Sequence, residues 1–339
     1  MIMKLPEFEY VEPRSIRKAC QFLRQNGGKA HPIAGGTDLM MALKNRLKVP
    51  KMLVDLFCVP ELNQIRYSEE EGLNVGALVS LRHLAANAVV RGKYPILARA
   101  ALDVGSPQIQ AMGTIGGNLC QDTCCLYYNR PPMWRQGLEP CHKLGGDVCH
   151  AIPGSKTCWA TYCGDLAPVL LVLRARIGVA DSKGEKVIPL SELYSGDGKA
   201  PLTLQPGQVV KEVQVPGPSA HSGGAYLKLR LRKTVDYPLL GVAVTLALEG
   251  AHGILKDVKV ALTGVEKAPL LIEAADELKG EKDTDKVIER LAEAAFKQAH
   301  PINNTYGLTP KYRRDMVRVY VRSAAHRSME AAIKKGGVA

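Results

Sequence analysis

Residues 31–40 read HPIAGGTDLM and residues 113–118 read GTIGGN. Each stretch sets a glycine pair after a short apolar run. Each then places a threonine beside an acid or amide: Thr37 and Asp38 in the first, Thr114 and Asn118 in the second. Glycine lets backbone approach another backbone or a ligand closely, and free N–H groups at a helix start suit a phosphate. One such turn is weak, since most Gly-Gly pairs are merely turns. Two of the same build point to a ligand with two phosphates. The Rossmann spacing G-x-G-x-x-G and a Walker lysine are both absent, so a dinucleotide would sit on another fold.

Outward from the first turn, the chain alternates. Residues 13–26 carry apolar positions at helical spacing, with Pro13 near the start and Gly27-Gly28 at the end. Residues 30–36 read as a short strand entering the turn, 38–47 as a helix and 51–56 as a strand, a small α/β unit. Residues 73–90 read as strand, turn and helix, 95–103 as an amphipathic helix, and 164–184 as a helix followed by a hairpin. From Gly223, the segments AYLKLRLRK, LGVAVTLAL and LKDVKVALTGV alternate apolar and polar residues as antiparallel strands do. Helices are predicted at 284–299 and 310–334. VPGPSAHSGG has the composition of a linker. The expected domains are 1–56, 57–218 and 222–334, with an insert at about 119–163.

That insert carries the chain's oddest feature. Seven of nine cysteines (Cys120, Cys124, Cys125, Cys141, Cys149, Cys158 and Cys163) lie within forty-four positions. The stretch has neither helical nor strand period, and a loop of this length inside a compact domain is usually functional. Four thiolates around one centre mean zinc or an iron–sulfur cluster. Zinc sites use C-x₂-C pairs, and none occurs here. Cys125, Cys141, Cys149 and Cys158 are separated by fifteen, seven and eight residues, which favours a loop wrapped around something wider than one ion. Successive side chains point apart, so Cys124 and Cys125 would not both ligate. Cys120, Cys124 and Cys163 read as packing residues near the centre, and Cys20 and Cys58 as small packed hydrophobes. Trp134 and Trp159 read as packing residues on the loop, able to shield such a centre.

Composition bounds the rest. The 339 residues suggest two or three domains. With 46% apolar and 23% charged residues the chain can bury ordinary cores. No run of eighteen apolar residues exists, so no transmembrane helix is expected. MIMKLPEFEYVEP has acids and prolines where a signal peptide needs an apolar stretch. The expectation is a cytoplasmic protein, whose cysteines are not a disulfide framework. The Asn303-Asn304-Thr305 triplet, formally a glycosylation pattern, is set aside for that reason. The +12 net charge is spread along the chain. Arg314, Arg318 and Arg322 stripe one helical face; a solvated face or salt bridges to a neighbour is the first reading, a docking face for an acidic partner the second. Low aromatic content and the absence of nucleic-acid motifs exclude a DNA- or RNA-binding module, and no membrane contact is expected.

PIAGGTDL (32–39), TIGGNL (114–119), GDLAP (164–168), YLKLRLRK (226–233) and KYRRDMVRVY (311–320) resemble the FAD-binding subunits of xanthine-dehydrogenase-type molybdenum enzymes over nearly the whole chain. The resemblance implies an α+β fold of the CO-dehydrogenase-flavoprotein type, with a two-part FAD-binding region and a C-terminal antiparallel sheet packed with helices. It also implies the FAD contacts. Ile33, Ala34, Gly35, Gly36, Thr37, Asp38 and Leu39 would wrap the pyrophosphate with Thr114, Ile115, Gly116, Gly117 and Asn118. Asp165 would contact the nucleotide, Lys228 would lie near the isoalloxazine, and Val104 and Val210 would supply apolar or backbone contacts. Family members usually pass from GGN to the next Asp in about a dozen residues, whereas here the cysteine insert intervenes. It is similar to the insert of 4-hydroxybenzoyl-CoA reductase β subunits, which holds a [4Fe–4S] cluster. On that likeness Cys125, Cys141, Cys149 and Cys158 are the ligands. The 303–305 segment departs from the family's approach to its closing helix.

The implied activity is electron transfer. A low-potential donor such as ferredoxin would feed the cluster, then FAD, then [2Fe–2S] clusters on a small subunit, then a molybdopterin cofactor on a large one, in a dimer of heterotrimers. There 4-hydroxybenzoyl-CoA would lose its phenolic hydroxyl. No residue here would act as catalytic acid or base. The alternatives are a molybdenum hydroxylase subunit passing electrons to NAD⁺ and, from another class, a zinc-stabilised scaffold.

Overall fold

The computed structural model describes residues 4–249, 254–281, 284–303 and 307–336; of the 303–305 triplet, Asn304 and Thr305 lie outside them. The first layer contains β1 (Glu9–Val11), α1 (Ile16–Gln25), β2 (Ala30–Ile33), α2 (Leu39–Lys44) and β3 (Met52–Asp55). Its strands are parallel in the order β1-β3-β2. Ser15 caps α1, its hydroxyl accepting from the Lys18 amide. Ile16, Ala19, Cys20 and Leu23, the i, i+3, i+4, i+7 stripe of a helix, are the buried residues. Cys20 is therefore core, as read.

The second sheet is antiparallel, β4-β5-β8-β6-β7. It is built from β4 (Ile65–Ser68), β5 (Gly72–Gly76), β6 (Arg176–Ala180), β7 (Glu185–Pro189) and β8 (Val209–Val215). Between β5 and β6 run α3 (Leu81–Ala86), α4 (Ala88–Lys93), α5 (Pro95–Asp103), α6 (Pro107–Met112), α7 (Ile115–Leu119), α8 (Pro132–Arg135) and α9 (Leu166–Val172). The single helix expected at the end of 73–90 is split at Asn87. That residue takes an extended conformation and caps α4 through the amides of Val89 and Val90. An asparagine competes for backbone donors in this way and ends one helix while starting the next.

The third sheet is antiparallel, β12-β11-β10-β9, comprising β9 (Ser222–Leu229), β10 (Leu240–Glu249), β11 (Ile254–Thr263) and β12 (Leu270–Leu271). One core fills the space under β10, β11, α10 (Thr284–Gln298) and α11 (Pro310–Gly336). β9 ends before Arg230, short of the expected Lys233. There Arg232 and Asp236 close a turn through both backbone and side chain. All seven residues of α9 are buried; a helix apolar all round needs cover on every side. α9 has it, because its core cluster includes residues of both antiparallel sheets. Buried Arg313 donates to the carbonyls of Leu239, Ile302 and Gly264, tying α11 to the strand ends. Of the arginine stripe, Arg318 and Arg322 pair with Glu293 and Glu289 of α10, and Arg314 stacks on Phe296. The stripe is an intramolecular seam, the first of the two readings.

Candidate functional site

The two glycine turns meet. A Cβ built on Gly35 would stand 1.8 Å from the Met112 carbonyl oxygen, immediately before the second turn. Gly36 adopts φ +68, a left-handed conformation open to glycine at no steric cost. Among the described residues, the amides of Gly35, Gly36, Thr37 and Asp38 have no backbone hydrogen-bond partner. The second turn is different. Ile115 donates to Val79 O, Gly116 to Ala77 O, Asn118 to Thr114 O and Gly117 to Thr114 Oγ1. The Asn118 side chain accepts from the Leu166 amide. The second turn thus uses its polar groups to lock α7 against its surroundings. The first has amides to offer an anion. The Asp38 carboxylate accepts from Tyr237 Oη at 2.8 Å; burial raises its pKa while that hydrogen bond lowers it.

Asp165 and Lys228 are adjacent. Lys228 Nζ lies 2.9 Å from Asp165 Oδ1, with the two side chains only 1% and 4% exposed. It also donates to Asp103 O at 2.9 Å. Tyr226 donates to Asp165 at 2.7 Å. Burial raises the Asp165 pKa, and Lys228 and Tyr226 oppose that rise. Arg230 and Arg99 hold the Asp103 carboxylate. Val104 caps the end of α5, its carbonyl held by Gln110. Val210 is core, opposite Val179 in the second sheet.

In the insert, Cys125, Cys141, Cys149 and Cys158 line one small cavity together with Tyr127, Tyr128, Lys143 and Trp159. Local structure brings them there. Asn129 accepts from the Cys125 amide. Gly145 at φ +91 ends a short helical turn after Cys141, and Cys141 forms a parallel bridge with Val148. The neighbouring cysteine is turned away: Cys124 pairs with Thr161 in a backbone bridge, and its thiol faces Cys163. That hydrogen bond, then burial, holds the Cys124 thiol well above its usual pKa. Burial also raises Cys125 and Cys158, whose neighbouring thiols oppose each other's ionisation. A bound cation reverses that logic.

The thiols can be compared with the geometry of a single-ion site. With zinc–sulfur bonds of about 2.3 Å, four tetrahedral thiolates stand about 3.8 Å apart. Among the described residues, the one trio of possible ligand atoms within 4.8 Å of one another is Glu12, Asp55 and Cys58. There Asp55 is already engaged by Tyr10 and the Phe57 amide. The insert thiols converge on one cavity, yet no three crowd to single-ion distance.

Residues 6–218 match the family described as FAD binding domain in molybdopterin dehydrogenase, and residues 225–328 match the CO dehydrogenase flavoprotein C-terminal domain. The chain belongs to this flavoprotein family. It is 33% identical over 288 residues to the aldehyde oxidoreductase FAD-binding subunit PaoB of Escherichia coli, covering 81% of this chain and 86% of that one. It is 29% identical over 329 residues to the carbon monoxide dehydrogenase medium chain of Afipia carboxidovorans, covering 96% and 98%. Carbon monoxide dehydrogenase of Hydrogenophaga pseudoflava superposes with a TM-score of 0.79 at 27% identity over 97% of this chain and 99% of that one. This flavoprotein is therefore an FAD-binding oxidoreductase subunit of the molybdenum hydroxylase family, with the mixed helix-and-sheet fold expected.

Several of the flavoprotein's site groups carry no sequence signal. Tyr237, Asp103, Arg230 and the pair Asp122–Lys143 are single polar residues in loops or at element ends. Only the chain's path brings them to the glycine turn, the buried ion pair and the cysteine cavity. Among the described residues, no helix is long and apolar enough to cross a membrane.

Proposed function

We propose that this chain is the FAD and [4Fe–4S] subunit of a molybdenum reductase of the 4-hydroxybenzoyl-CoA reductase type. The observation that carries this is the convergence of Cys125, Cys141, Cys149 and Cys158 on one cavity, without three thiols at single-ion distance. FAD, when bound, supplies an exchange between one- and two-electron steps; the cluster supplies one-electron entry.

The chain's own residues hold and insulate these groups. The free amides of Gly35, Gly36, Thr37 and Asp38 hold the pyrophosphate, with Ile33, Ala34 and Leu39 flanking them. The second turn, from Thr114 to Asn118, sets the floor of that cleft. Asp165 and Lys228 keep a fixed charge pair at the flavin end, and Val104 and Val210 support it from the core side. The four cysteines hold the cluster. Tyr127, Tyr128 and Trp159 keep water from it. Residues 1–56 and 57–218 bind the flavin, and 222–334 forms the third domain. A small [2Fe–2S] subunit and a large molybdopterin subunit complete the complex as a dimer of heterotrimers. A ferredoxin-like protein supplies electrons, in the cytoplasm, and the substrate is an aromatic acyl-CoA dehydroxylated on the large subunit.

The test is iron, acid-labile sulfide, zinc and FAD per chain in anaerobically purified protein, with Cys125→Ser and Cys124→Ser beside it. Four irons and one FAD, with iron lost in Cys125→Ser and kept in Cys124→Ser, is the expected result. FAD without iron would sink the cluster and leave a plain flavin subunit with an unexplained cysteine loop.

A further inference from the structure

Lys143 stands between Cys141 and Cys149 and lines the same cavity as the four thiols. Its side chain is 4% exposed. Lysines are almost never that buried without a partner or a task. Its ammonium donates to Asp122 Oδ1 at 2.7 Å, to Thr123 O at 3.1 Å and to Thr123 Oγ1. All three donors are engaged, and the nitrogen sits 4.8 Å from the centre of the Tyr128 ring, another wall of the cavity. The charge is thus held in one place at the wall of the cavity the thiols share, close enough to act on Cys158. Asp122 is the more solvated partner, 30% exposed, and a second lysine, Lys48, approaches it at 3.9 Å. Lys48 follows α2, the helix that begins at the first glycine turn. Asp122 also acts electrostatically on Asp38 of that turn, so the pair links the cysteine cavity to the first glycine turn.

We propose that Lys143 is a positioning residue for electron transfer, whose buried ammonium sets the reduction potential of the iron–sulfur centre held by Cys125, Cys141, Cys149 and Cys158. The inference rests on the cluster reading above. Reducing a thiolate-ligated cluster adds one negative charge to an already anionic group. A fixed cation in a dry site stabilises the reduced form more than the oxidised one. Lys143 thus raises the potential, and Asp122 moderates it. The centre is kept reducible by a donor protein while remaining able to pass its electron to the flavin. If Lys143 only pinned the loop to Thr123, its removal would lower cluster occupancy and leave the potential of loaded protein unmoved.

The experiment is an EPR-monitored redox titration of the anaerobically purified complex, with iron content measured first, on wild type, Lys143→Met, Lys143→Arg and Asp122→Asn. At the wild-type midpoint, the reduced-to-oxidised ratio should fall at least tenfold in iron-loaded Lys143→Met, ~59 mV downward for a one-electron couple. Lys143→Arg should stay near wild type. Asp122→Asn should shift upward, which decides the matter if Lys143→Met takes up no iron. Iron-loaded Lys143→Met or Asp122→Asn with the wild-type midpoint overturns the proposal and leaves the cluster standing. A wild type without iron overturns the cluster reading and this proposal together.

Discussion

Replacing Gly35 by alanine tests whether the two glycine turns must touch. The added Cβ would stand 1.8 Å from the Met112 carbonyl oxygen and 2.6 Å from its carbon. Real Cβ contacts essentially never fall below 3.0 Å, so the carbonyl must retreat by about 1.2 Å, the difference of those two distances. The obstacle is backbone, and the Gly113 amide beside it is bonded to Ile109 O while the Gly113 carbonyl accepts from Leu81. It cannot rotate away as a side chain would. Overpacking of this kind costs about 1–3 kcal/mol, and a backbone clash belongs at the upper end. If the strain falls on the FAD-binding conformation, about 3 kcal/mol corresponds to roughly a hundredfold weaker FAD. If it falls on the whole fold, the melting temperature drops by several degrees. Gly28→Ala is the control: nothing lies within 4 Å of its Cβ and its φ is ordinary, so it should be neutral or slightly stabilising. The assay is FAD release followed by flavin fluorescence, with thermal unfolding of the same samples. Gly35→Ala with wild-type FAD affinity and melting temperature would refute the close approach of the two turns.

Two other perturbations follow from buried charges. Lys228→Met leaves the Asp165 carboxylate buried beside Tyr226 without its cation; a loss of about 3–5 kcal/mol in urea unfolding is expected, and Lys228→Met/Asp165→Asn should recover part of it. His31, half-buried in β2 and near Lys48, has its pKa lowered to about 4 from 6.5, first by desolvation and then by the Lys48 charge. A depressed histidine contributes stability that is full above pH 6.5 and fades as pH falls toward 4. Urea unfolding across that window should show a loss of up to about 3 kcal/mol, and His31→Gln should flatten it.

The parts of the fold visible in the sequence are those written in local pattern. The alternation of residues 240–248 and 255–265 needs no distant partner to be read as strand, and Pro95 announces the helix it begins. The glycine turns announce a phosphate site because glycine is informative by itself. Their division of labour was not visible. Whether Gly116 donates to a ligand or to Ala77 depends on where residue 77 lies in space. Likewise the family resemblance singles out Lys228 and Asp165, but residue pattern alone does not show that they touch across sixty-three positions. That Cys125 lines the cavity while Cys124 pairs with Thr161 in a backbone bridge is a tertiary arrangement no local pattern shows. Lys143 carries no signal at all: it is one lysine in a basic chain, and its ammonium is held by Asp122 and Thr123, twenty-one and twenty positions earlier.

The most direct test is a crystal of anaerobically purified protein with anomalous difference maps at the iron and zinc edges. The account predicts a strong iron peak, and no zinc peak, inside the cavity bounded by Cys125, Cys141, Cys149 and Cys158, with density reaching each of the four sulfurs. A zinc peak there, or an empty cavity beside a fully occupied FAD, would contradict it.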